Sequence, residues 1–119
     1  MRTLFATLGL LVSLPLLAGE AELSAAVVAL QSPESVLIDV RTADEFAAGA
    51  LPGAEQIEHE QIASRISAIA PDKDTPIILY CRSGRRSGIA EENLRAMGYS
   101  NLINAGGYDE LKLALESQD

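Results

Sequence analysis

Pro76 is followed by four apolar residues, Ile77-Ile78-Leu79-Tyr80, with no polar residue among them, and the run stops at Cys81. A strand that never alternates has no face to give to water, so it needs helices on both sides, and such strands belong to parallel sheets. Weaker signals, each including a polar residue, flank it. Val36 to Val40 reads as a buried strand, Ala54 to Ile57 as a short one and Asn101 to Asn104 as the last.

Helical spacing fills the intervals. Leu23, Ala26, Val27 and Leu30 share one helix face, as do Ile62, Ile66 and Ile69, the latter helix ending at Pro71. Thr42-Ala43-Asp44-Glu45 has the spacing of a capping box, and Gly49 suits the left-handed position beyond the helix it starts. A further helix runs from about Arg86 to Met97 with Ala90, Leu94 and Met97 inward and Glu91 set to meet Arg95; Gly98 stops it. Gly106-Gly107 reads as a turn into a final helix carrying Tyr108, Leu111 and Leu115. Strands alternating with helices predict an α/β fold of three layers, a central parallel β-sheet with helices on both faces.

The first residues have another character. Leu4 to Leu17 is nearly all apolar after Met1-Arg2, and small residues follow at Ala18, Gly19 and Ala21. That stretch falls short of the roughly 20 residues a bilayer span requires, so residues 1–19 are expected to be a cleaved signal peptide and 20–119 one domain. The expected location is the periplasm, with membrane attachment only if the signal stays uncleaved. No cysteine lies near residue 19, which disfavours a lipid anchor there.

Removing Arg2 leaves 8 basic against 17 acidic residues, a net charge of −9. Nucleic acid and anionic membrane are therefore poor partners. The single cysteine excludes an internal disulfide and a Cys-x-x-Cys redox pair, and one cysteine with one histidine is too little for a four-ligand metal site. No nucleotide-binding motif is present, and no cofactor is expected.

Against that acidic background Arg82, Arg85 and Arg86 crowd one loop, Cys81-Arg82-Ser83-Gly84-Arg85-Arg86, between a strand end and a helix start. Ligands gather at the carboxyl ends of parallel strands. Gly84 lets the backbone curl so that amide N–H groups point inward as an anion nest beside the helix terminus. The same field favours a thiolate: a thiol of pKa about 8.5 is only a few per cent ionised at pH 7, and a depression of roughly two units reverses that. Ser87 follows as a cap of the helix.

With these residues in place, Tyr80 to Ser87 resembles the active loop of single-domain rhodaneses. Ile38-Asp39-Val40-Arg41 with Glu45-Phe46 and Gly49 is similar to that family's first signature, Pro52-Gly53-Ala54 to the next, and Gly106-Gly107 to its glycine pair before the last helix. Two positions depart from the pattern, Ala50 where His is common and Tyr108 where Trp is common, and no first short strand is evident near Ala21 to Leu23. The resemblance implies a rhodanese-like fold and a sulfurtransferase cycle. Cys81 is its nucleophile, Arg82, Ser83, Gly84, Arg85, Arg86 and Ser87 form its substrate-binding loop, a small anionic donor such as thiosulfate supplies the sulfur, and a thiophilic acceptor removes it.

Asp39 and Arg41 are expected to support the loop by pairing with each other's neighbours, Glu45 to serve Thr42, and His59 to be solvated. A monomer is expected. A cysteine phosphatase would need Arg as the sixth residue after the cysteine; here that residue is Ser87, and the shorter loop suits sulfur better than phosphate. The other alternative is a persulfide carrier or partner-binding module without small-molecule turnover.

Overall fold

The computed structural model describes residues 18–118. The expected signal peptide lies outside the described residues except for Ala18 and Gly19, which open the first helix. Elements follow in the order α1 (Ala18–Ala29), β1 (Val36–Asp39), α2 (Ala43–Ala48), β2 (Glu55–Gln56), a 3-10 turn at His59–Gln61, α3 (Ile62–Ile69), β3 (Ile77–Cys81), α4 (Arg85–Ala96), β4 (Leu102–Gly107) and α5 (Tyr108–Glu116).

The four strands form one parallel sheet in the order β2-β1-β3-β4, with β3 between β1 and β4. All five residues of β3 are buried, as its unbroken apolar run requires. Its side chains alternate between two cores. Ile77, Leu79 and Cys81 pack with Ile62, Ile66, Ala90 and Leu94 of α3 and α4, whereas Ile78 and Tyr80 pack with Ala26, Val27 and Leu111 of α1 and α5. The expected three layers follow, and they place Cys81 on the α4 side of the sheet.

Several boundaries differ from the sequence reading. Helix α1 starts at Ala18, ahead of the apolar stripe that predicted Leu23, and only Ala26 and Val27 are fully covered. The capping box forms as expected, the Glu45 N–H donating to Thr42 Oγ1 and the Thr42 N–H to Glu45 Oε1. Gly49 is not in the left-handed helical conformation: its ψ of 131° keeps the chain extended and turns its carbonyl toward Arg41. Gly98, with φ 99°, does take the left-handed stop after α4.

The largest revision concerns the glycine pair. Gly106 and Gly107 belong to β4, which continues beyond Asn104 because the ladder with β3 slips by one residue: Leu79 pairs with Asn104, but Tyr80 pairs with Gly106 and Cys81 with Gly107. Ala105 is the extra residue of this bulge. The irregularity falls beside the cysteine.

Candidate active site

Cys81 is the last residue of β3, and the chain curls over it before α4 begins at Arg85. Gly84 makes the curl possible at φ 99°, where other residues are strained. Its N–H points back to Cys81 Sγ at 2.9 Å. The Ser87 N–H reaches the same sulfur at 3.4 Å, and the Ser87 hydroxyl lies 3.3 Å away. Burial works against ionisation of this thiol, but the Ser87 hydroxyl and the N–H groups of Ser87, Ser83 and Gly84 together outweigh it, so its pKa falls below the ordinary value. The nest expected from the loop is present.

The glycine pair explains how the loop can sit so close to β4. A Cβ at Gly107 would fall 2.5 Å from the Arg82 carbonyl oxygen and would also collide with the Glu110 carboxylate, and a Cβ at Gly84 would lie 3.3 Å from the Gly106 Cα. Backbone rests on backbone here, leaving no space for a side chain.

The three arginines do not act alike. Arg82 and Arg85 are exposed and form no salt bridge among the described residues. Arg86 is half-buried and binds Glu45 through two bonds of 2.8 and 3.0 Å. The basic pocket read from three arginines thus keeps two free guanidinium groups, the charge of the third being matched by a carboxylate from α2. Arg82 stands between two depressions. One, of about 410 Å3, is lined by Leu23, Ser83, Gly107 and Glu110; the other, of about 190 Å3, by Arg41, Glu45 and Tyr108. A larger depression of about 570 Å3, near Leu30, Leu51 and Leu115, touches none of the loop residues.

Asp39 and Arg41 pair with each other rather than with neighbours. The Arg41 guanidinium donates to both Asp39 oxygens, the shortest bond being 2.6 Å, and the Arg41 N–H also binds that carboxylate. Both residues are buried. Arg41 then donates to the Gly49 carbonyl at 2.7 Å and lies over the rings of Tyr80 and Tyr108, with its central carbon 4.6 Å from the Tyr108 centroid. Tyr108 therefore serves as an aromatic lid on this ion pair.

His59, expected in solvent, keeps only 17% of its side chain exposed; it opens the 3-10 turn before α3, its N–H donates to the Val40 carbonyl at 3.2 Å, and it lines a small depression together with Arg86. Its Nδ1 lies 3.5 Å from Glu60, and it makes no hydrogen bond to Cys81.

A buried thiol under convergent N–H groups at a parallel-strand end has the shape of a sulfur-handling site. The Rhodanese-like domain family matches residues 23–114. The chain belongs to the rhodanese-like family.

This rhodanese domain is 37% identical over 76 residues to the thiosulfate sulfurtransferase PspE of Escherichia coli (strain K12), a match covering 64% of the chain and 73% of that protein. It is 40% identical over 72 residues to a sulfurtransferase of Allochromatium vinosum, covering 60% of the chain and 65% of the relative. Among solved structures it resembles a rhodanese with anions from E. coli, with TM-score 0.62 and 37% identity over 64% of this chain and 89% of that one. It also resembles the human single-domain sulfurtransferase TSTD1, with TM-score 0.65 and 28% identity over 81% of this chain and 94% of that one.

Two side chains that hold the loop escape the sequence reading. Glu45 has a complete local explanation as the partner of Thr42, which hid its pairing with Arg86, 41 positions away. Asn104 reads in sequence only as the end of a strand, yet it binds Ser87, Gly84 and Gly106. Neither contact leaves a periodic or spacing signal.

The Glu45–Arg86 pair has a consequence in acid. Arg86 first, then the Thr42 N–H, hold the Glu45 carboxyl at about 2 against an ordinary 4.5. A folded pKa below the unfolded one gives stability that is complete above pH 4.5 and lost as pH falls toward 2. Glu45→Gln is expected to flatten the fall of the melting temperature in that window, read from thermal unfolding at successive pH values. An unchanged acid slope would show that the pair carries no stability.

Proposed function

We propose that the protein is a thiosulfate sulfurtransferase whose nucleophile is Cys81. The observation that carries this reading is Cys81, a residue only 1% exposed whose Sγ faces the N–H groups of Gly84 and Ser87. A nucleophile so enclosed accepts only what can enter a six-residue loop, and a single outer sulfur atom meets that condition.

The Cys81 thiolate attacks the outer sulfur of thiosulfate. The new S–S bond forms as the old one breaks, sulfite leaves with the bonding pair, and Cys81 becomes a persulfide whose outer sulfur bears the negative charge. Cyanide or another thiophile then attacks that sulfur, thiocyanate or its analogue departs, and the thiolate returns. No net proton is gained or lost, so the loop needs to stabilise an anion in both states and needs no acid or base. The N–H groups of the nest perform this task, and the helix start at Arg85 adds to them.

Arg82 and Arg85 provide the attraction that brings a dianion to an otherwise acidic surface, while Arg86 with Glu45 fixes the loop rim. The rate constant kcat/KM for thiosulfate is expected to fall severalfold between about 0.01 and 0.15 M ionic strength, as the Debye length shortens from about 30 to about 8 Å. A flat response would remove electrostatic capture from the account.

The reaction class is tested by measuring thiocyanate release from thiosulfate and cyanide alongside hydrolysis of p-nitrophenyl phosphate. The proposal predicts turnover in the first assay alone; phosphate release without thiocyanate would identify a phosphatase. The apolar Leu4–Leu17 segment, with small residues at Ala18 and Gly19, supports export to the periplasm, the mature chain acting there as a monomer. N-terminal sequencing of the periplasmic protein should start near Glu20; recovery of Met1 in that fraction would contradict removal of the segment.

A further inference from the structure

Ser87 has one hydroxyl proton and three acceptors in reach. Asn104 Oδ1 is at 2.7 Å, the Gly84 carbonyl at 3.2 Å and Cys81 Sγ at 3.3 Å. Ser87 is buried, so water does not relieve the competition. Asn104 sits on β4 one residue before the bulge at Ala105 and uses both ends of its amide. Its Oδ1 accepts from Ser87 and from the Gly106 N–H at 2.9 Å, and its Nδ2 donates to the Gly84 carbonyl at 3.1 Å. A single side chain thus ties together the helix cap over the thiol, the glycine pair and the hydroxyl beside the sulfur.

We infer that Asn104 is a positioning residue that governs where the Ser87 proton points and so how strongly the loop holds an anion at Cys81. The inference rests on the reading of Cys81 as the sulfur carrier. With Cys81 as a neutral thiol, its S–H can donate to Ser87 Oγ while Ser87 donates to Asn104. A thiolate only accepts. Ser87 must then turn its proton to the sulfur and give up the shorter bond to Asn104. When the persulfide forms, Sγ becomes uncharged and the proton turns back to Asn104. The hydroxyl changes partner once in each half of the cycle, and the Asn104 amide sets the cost of that change.

Replacement by aspartate makes each of these terms oppose the thiolate. A carboxylate competes harder for the Ser87 proton, loses the donor to the Gly84 carbonyl and adds negative charge beside the sulfur. Replacement by alanine loses the same donor, but it also removes the closest competing acceptor and adds no charge, so the Ser87 proton is freer to turn to the sulfur. The charged and titratable groups around the loop are Glu20 on α1, Asp39 with Arg41, Glu45 on α2, His59 in the 3-10 turn, Tyr80 on β3, Arg82 in the loop, Arg85 and Arg86 at the start of α4, and Tyr108, Asp109 and Glu110 on α5. Histidine is the residue type in this set that can change charge near neutral pH, so His59→Gln serves as the control.

The chain has one cysteine, so the thiolate's ultraviolet absorbance, taken as a difference from Cys81→Ser, titrates that group alone. In Asn104→Asp the titration is expected to move up by about one pH unit, a tenfold loss of thiolate on the acid side of the curve. In Asn104→Ala it moves down, and in the Ser87→Ala background neither change at Asn104 moves it as far. Because this readout needs no sulfur transfer, it stands even if thiosulfate proves not to be a donor. Where Asn104→Asp does not fold, the downward shift of the alanine variant and its loss in Ser87→Ala decide the matter. No shift, a shift of both variants in one direction, or the same shift without the Ser87 hydroxyl would each overturn the inference.

Discussion

Cys81→Ser is expected to remove thiocyanate formation by a factor on the order of 10³ or more while leaving the fold in place. Serine keeps the nearly isosteric side chain and remains within reach of the Gly84 and Ser87 donors, so the expected change in stability stays within about 1 kcal/mol. What disappears is the chemistry. An alkoxide is far less accessible than a thiolate near neutral pH, and a hydroxyl oxygen cannot carry a sulfane sulfur as a persulfide does. The comparison requires both measurements, turnover and melting temperature. A serine variant that retains a tenth of the activity would place the nucleophile elsewhere, and one that unfolds would mean that the thiol is chiefly a packing residue.

The second large effect belongs to Asp39, which touches no part of the reaction. Its carboxylate is fully buried and its partner Arg41 is 6% exposed. Asp39→Ala would leave a guanidinium enclosed by Tyr80, Tyr108 and the Gly49 carbonyl with its counter-charge gone. Breaking a buried pair from one side costs about 3–5 kcal/mol, a large part of a total stability of about 5–15 kcal/mol. Removing both charges, as in Asp39→Leu with Arg41→Met, should be much milder, because no ion is left stranded. Denaturant titration of the three proteins distinguishes the cases. Equal losses in the single and double variants would show that packing volume, and not charge pairing, makes Asp39 necessary.

The two positions illustrate how much could be read from the chain itself. Burial of β3 was legible because a run of Ile, Ile, Leu and Tyr admits one explanation, and the loop after it was legible because three arginines around a lone cysteine are improbable in an acidic chain. The capping box at Thr42 and Glu45 is likewise a local pattern with a local cause. Contacts made by the fold gave no such signal. Asp39 and Arg41 stand two residues apart, but spacing alone does not say that they face each other, nor that the Tyr108 ring from the far end of the chain lies against the Arg41 guanidinium. Gly106 and Gly107 look like a turn in sequence. Their strand conformation follows from a register slip against β3; the Arg82 carbonyl pressed against Gly107 leaves no room for a side chain there, and Gly106 is glycine for its φ of 89°. Asn104 carries no periodic mark at all.

The arginines show the same division between composition and placement. Counting charges predicts one cationic patch; the structure assigns Arg86 to a carboxylate and leaves Arg82 and Arg85 to meet the solvent. In the proposed cycle, capture of a donor anion would rest on the two exposed guanidinium groups, whereas the thiol is tuned by backbone N–H groups and one hydroxyl. These roles are separable. Salt should weaken the first and leave the second largely untouched, since buried hydrogen bonds are screened far less than surface charge.

Intact mass of the mature protein after incubation with thiosulfate, measured for wild type and Cys81→Ser and again after addition of cyanide, tests the central claim most directly. The account predicts a gain of about 32 Da on the wild type alone, lost again with stoichiometric release of thiocyanate. A folded wild-type protein that gains no sulfur from thiosulfate, or a Cys81→Ser variant that gains as much, would contradict it.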